Sequence, residues 1–91
     1  MKKQEKHKWT TNDDLKILFV FKFGFEHSPY NKKELAQLIG VSEGSVNFRI
    51  GNFKAIEGIG KATHYAKMSK SVYDMYNQLN LDELKGVAFP T

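Results

Sequence analysis

The 91-residue chain is predicted to be mainly all-α: a small helix-turn-helix domain of about four helices, with room for a short wing-like loop. Three observations carry that expectation. The tract Asn31 to Phe53, NKKELAQLIGVSEGSVNFRIGNF, holds two apolar helical faces separated by a glycine turn. Upstream, a capping residue and the pair Asp13-Asp14 open an apolar stretch. Downstream, Val72, Tyr73, Tyr76 and Leu79 form a stripe at helical spacing.

In chain order, residues 1 to 8 offer almost nothing apolar to bury and read as a flexible basic arm. The domain proper is expected over residues 9 to 80. Its first helix should start at Thr11 or Asn12, where a capping side chain precedes two acids that favour the positive end of the helix dipole. Trp9 can close over that first turn. Phe19, Phe21, Phe23 and Phe25 alternate as a strand would, but capping and an acidic first turn have no role in a strand, so a helix to about Phe23 is expected. Gly24 and Ser28-Pro29 then break the chain.

Within the central tract, Leu35, Ala36 and Ile39 share one face, and Val46, Ile50 and Phe53 share another. Gly40 stands where a left-handed C-cap is usually needed, Ser42 can cap the next helix, and Ala36 is small enough for a close crossing. After Phe53 comes a loop with Gly58 and Gly60, where a hairpin wing has room to form. A last helix is expected from Ser69 to Leu79, and residues 81 to 91 read as a short turn of helix and a frayed tail.

Composition bounds the function. One domain with a single modest core fits this length. Without cysteine there is neither a disulfide nor a thiolate metal site. The apolar run Ile17 to Phe25 is interrupted by Lys22 and is far shorter than the roughly 20 residues a membrane helix needs, so a cytoplasmic protein is the default. The net charge of +4 collects in two places, +3 over residues 1 to 8 and +3 over residues 31 to 67. That distribution suits a polyanionic partner, although a solvated basic surface has the same composition. Gly60-Lys61-Ala62 lacks both the first glycine and the Ser/Thr of a P-loop, and no nucleophile and base stand close in sequence. Neither enzymatic activity nor a cofactor is expected.

The second helix of the motif, Glu43 to Lys54, carries the expected contacts to double-stranded DNA. With about 100° per residue and Val46 at the centre of the buried face, Gly44, Phe48 and Gly51 point outward, flanked by Ser45, Asn47 and Asn52. A carboxamide such as that of Asn47 presents a donor and an acceptor together to the major-groove edge of adenine. Phe48 either touches a thymine methyl or is covered by the wing or last helix, and covering is the favoured reading. Gly44 and Gly51 each cost about 1 kcal/mol of helix propensity, which a close backbone approach to DNA would rationalise. Arg49, at the edge of the buried face, can reach a phosphate or pair internally with Asp13, Asp14 or Glu34. Lys32, Lys33, Lys54 and Lys61 are further phosphate candidates. Ser42 joins this set beside its capping role, and Glu43 either accepts from cytosine or favours the helix N-terminus.

Trp9-Thr10, the glycine turn, Ser42-Glu43-Gly44-Ser45-Val46, Arg49-Ile50-Gly51-Asn52-Phe53 with Ala55, the Gly-rich loop, Ser69-Lys70 and the Val72-Tyr73 helix together resemble a known region. They look like the helix-turn-helix that precedes the HNH nuclease domain in many bacterial and phage endonucleases. The resemblance spans about residues 8 to 79 and implies a region that binds or positions DNA. Val41 stands where that family often has a basic residue. His7, His27 and His64 are scattered, so the resemblance carries binding and not cleavage. A small regulator or a targeting module of phage or mobile-element type is the expected function. A homodimer through the 69–79 helix would raise its affinity. The rival expectation is a protein-interaction module or inhibitor that keeps the fold and docks on a protein partner, favoured by Phe48 and the tyrosine stripe.

Overall fold

The computed structural model describes residues 7–90, and within them every regular element is helical. Of the basic arm only His7 and Lys8 fall inside that range; the rest lies outside the described residues.

Helix α1 (Thr11–Phe23) is capped by Thr10, one residue earlier than expected. The Thr10 hydroxyl accepts from the Asp13 N–H at 3.0 Å, and the Asp13 carboxylate accepts from the Thr10 N–H at 3.1 Å. This reciprocal capping box satisfies two otherwise orphaned donors. Beyond it Leu15, Ile17, Leu18, Phe19 and Val20 are all buried. A helix that is apolar on most sides belongs at the centre of a core, and α1 packs mainly against three of the four later helices, all but the one that precedes the glycine turn. The alternating phenylalanines are the visible part of that burial. Phe19 packs on Phe23 with ring centres 5.4 Å apart, while Phe21 stacks on Phe53 at 5.9 Å.

After Gly24 and a short 3-10 turn at Phe25–His27 come α2 (Lys32–Ile39) and α3 (Glu43–Ile56). Gly40 between them has φ 95° and ψ 34°, a left-handed conformation that a Cβ would strain. Its N–H and that of Val41 both donate to the Ala36 carbonyl, at 2.8 and 2.9 Å, which closes the end of α2. Ser42 then caps α3 by accepting from the Ser45 N–H at 3.1 Å. The helix runs two residues beyond the expected end at Lys54. No wing follows. Residues 57 to 66 form an irregular loop without strands, in keeping with a sequence poor in β-formers.

Helix α4 (Lys67–Tyr76) begins and ends earlier than the expected 69–79 span. Val72 is buried, and Tyr73, Tyr76 and Leu79 pack against the core. The stripe therefore packs at least partly inside the domain, with Tyr73, Tyr76 and Leu79 half-buried and Met75 the exposed large apolar side chain of α4. Lys22 of α1 donates to the Asn77 carbonyl just past the end of α4.

Residues 81 to 90 are not a frayed tail; Thr91 lies outside the described residues. Helix α5 (Leu81–Ala88) starts, like α1 and α2, with a reciprocal box, here Asn80 with Glu83, and lies against α1. Leu84 and Ala88 are fully buried, and the Phe89 ring meets Phe19 edge-on at 5.5 Å. The core thus extends into this segment, and the described residues hold five α-helices where about four were expected, in the expected all-α class. Leu84→Ala should cost about 2–5 kcal/mol in urea unfolding, because it removes a side chain from a filled site; a tail residue would show almost no loss.

Candidate nucleic-acid interface

The outward face of α3 is defined by what its inward face is tied to. Asp14, in the first turn of α1, is completely buried. Arg49 of α3 donates from Nε to Oδ1 and from Nη2 to Oδ2 of that carboxylate, each at 2.8 Å. The Ser69 hydroxyl of α4 donates to Oδ2 at 3.1 Å. Trp9 covers the other side of the guanidinium, with Cζ 4.6 Å from the ring centre. A bidentate fork, a third donor and a π-face together meet the high cost of removing both charges from water. Three helices and the segment before α1 converge on this one carboxylate.

That geometry corrects the reading of Arg49 as a phosphate contact. Of the alternatives open to it, internal pairing with Asp14 is the one adopted, and the Arg49 side chain is only 12% exposed. Asn52 is corrected too. It is buried rather than flanking the outer face, donating from Nδ2 to the Phe48 carbonyl at 3.3 Å and accepting the Ala66 N–H at Oδ1. Asn52 is thus a clip that holds the end of the 57–66 loop against α3. Both of its polar atoms are occupied inside the domain.

What remains outward is a narrow mixed face. Asn47 and Gly44 are exposed, and Phe48 is 78% exposed, covered by neither the loop nor the last helix. The loop runs beside Phe48 without closing over it, since Ala62 and His64 line a groove with it. Phe48 stands as a ridge between two open grooves. On one side a groove of about 360 Å³ is walled by Asn47, Gly51, Ala62 and His64, and on the other one of about 330 Å³ by Trp9, Ser42 and Ser45. Gly44 borders both. A Cβ added at Gly51 would meet nothing within 4 Å, so no internal packing demands a glycine there.

The remaining cations are unevenly placed. Lys54 and Lys61 are exposed near one another, since Gly60 lies against the Lys54 side chain, 3.5 Å from its Cβ to a Cβ built on the glycine. Lys33 is exposed on α2, whereas Lys32 is half-buried with Nζ 5.9 Å from the Phe25 ring centre. Glu43 occupies the first turn of α3, where the dipole favours it. Ser42 and Ser45 are joined through their hydroxyls at 3.2 Å. At the far end of α3, Glu57 accepts from the Tyr73 hydroxyl at 2.7 Å, and chiefly that bond holds the phenol above its ordinary pKa.

Sequence reasoning missed Ala62 and His64 as groove walls and Ser69 as a ligand of Asp14. No periodic signal marks loop residues, and a lone serine on an apolar stripe reads as a gap. Compared with family models, curated proteins and solved structures, the chain matches none.

Arg49→Ala should destabilise the domain by about 3–5 kcal/mol, since it strands a buried carboxylate. Joining it to Asp14→Ala should cost less than the sum of the two single changes. Urea denaturation of the four proteins checks both; additive losses would mean that the two side chains do not act as a pair.

Proposed function

We propose that the domain binds double-stranded DNA, with the outward face of α3 seated in the major groove, as a small regulator or targeting module. The carrying observation is that this face, on the second helix of a helix-turn-helix, is left uncovered and combines a free carboxamide at Asn47 with bare glycine backbone at Gly44 and Gly51. An α-helix with short side chains fits a groove about 12 Å wide, and glycines let its backbone approach the base edges. Asn47 is suited to adenine, and Lys33, Lys54 and Lys61 to phosphates on either side. The resemblance to the region preceding HNH nuclease domains points the same way. With Arg49 withdrawn, the electrostatic part of binding is modest.

A second reading rests on Phe48. A ring so exposed on the face of a helix is also what a protein-docking module or inhibitor presents to a pocket in its partner.

Anisotropy of a fluorescent random-sequence duplex, titrated at several salt concentrations, separates the two. Under the DNA reading, log K falls linearly with log salt with a slope near −3, as expected of about three phosphate contacts, and Lys54→Glu with Lys61→Glu lowers affinity and flattens that slope. Asn47→Ala leaves this non-specific affinity nearly unchanged and costs about 1–3 kcal/mol only at a selected site. Absence of binding at low salt would turn the search to protein partners. Arg49 is unsuited to such a test, because its loss acts through folding.

A further inference from the structure

The groove beside Phe48 narrows what the helix would read. It is lined by Asn47 and Phe48, with Gly44, Gly51 and Asn52 of the same helix and Ala62 and His64 of the loop. The apolar surface here is confined. The other groove adds Trp9 as its one further large apolar side chain, and Trp9 is already engaged with Arg49. The remaining walls are glycine, alanine, serine, asparagine, histidine and Arg49, so in the groove shared with Asn47 the one large apolar side chain is Phe48. A protein interface of useful affinity buries a cluster of apolar groups around its anchor, and that cluster is missing from both walls.

A lone ring beside a carboxamide matches a smaller target. In the major groove an A·T pair presents the adenine N6 and N7 edge and the C5-methyl of thymine, the one apolar group on that surface. Cations at Lys54 and Lys61, on the helix and loop that form this groove, complement the phosphates that flank such a pair. Resting on the DNA-binding reading above, we propose that the protein selects an A·T-containing site by the thymine methyl, which Phe48 contacts in this groove while Asn47 pairs with the adenine edge. Thymine is then distinguished from uracil by the methyl group alone, and from cytosine by the methyl group and by the adenine that pairs with thymine.

The test uses the whole protein and a pool of randomised duplexes enriched by rounds of binding. The enriched pool is copied enzymatically twice, once with thymidine and once with deoxyuridine triphosphate in place of thymidine triphosphate, so that the copies differ in the methyl alone. The thymine copy should bind more tightly by about four-fold for each methyl contacted. The salt slope should be the same for both, because no phosphate contact changes. Phe48→Ala should bind the two copies equally while keeping the wild-type thermal melting curve, as expected for an exposed side chain. Equal affinity of the wild-type protein for both copies would overturn the methyl contact and leave DNA binding standing. A preference that persists undiminished in Phe48→Ala would also overturn it, placing the effect in the shape of the duplex. Failure to bind either copy at low salt would remove the DNA reading and the inference together.

Discussion

The buried carboxylate of Asp14 is the constraint on which the rest of the domain is arranged. A charge with no exposed surface is tolerated only if its lone pairs are satisfied and an opposite charge lies within contact distance. Arg49 and Ser69 supply those partners from α3 and α4, and Trp9 shields the guanidinium from outside. Apolar contacts tolerate sliding, but a two-point fork does not. The ion pair therefore sets the rotation of α3 about its own axis relative to α1.

That rotation decides which side chains of α3 face outward. With Arg49 turned to Asp14, Val46 and Phe53 enter the core and Asn47 and Phe48 are carried outside. Asn52 adds a second restraint by holding Ala66, which ties the end of the 57–66 loop to α3. The exposed ridge is thus a product of the internal ion pair. Phe48 makes no part of the core cluster, so its retention as a large apolar group has no packing reason within the domain.

Around this polar centre the apolar core is organised by α1. Its burial on most sides lets α3, α4 and α5 pack on one another's neighbours without a sheet or a second layer. The motif helix α2 sits outside that arrangement and reaches the core through α3, which it contacts directly, by burying Leu35, Ala36 and Ile39. The short turn at Gly40 then carries more of the positioning of α2 than does contact with α1.

The sequence alone determined the features that depend on neighbours in the chain. The cap at Ser42, the left-handed turn at Gly40, the acidic start of α1 and the helical class all follow from residue type and spacing over a few positions, and these were legible. Charge could be placed along the chain but not on a surface. Which of two fates Arg49 meets, and whether Asn52 points to solvent or into the protein, depends on residues 35 and 14 positions away respectively, and no local pattern encodes such pairings. The same holds for the C-terminal segment: its short Leu84-to-Ala88 face is too brief to announce a core element, and only docking on Phe19 and its neighbours makes it one. Tertiary structure decided these points because the burial of a polar or short apolar segment is favourable only when a distant partner completes it.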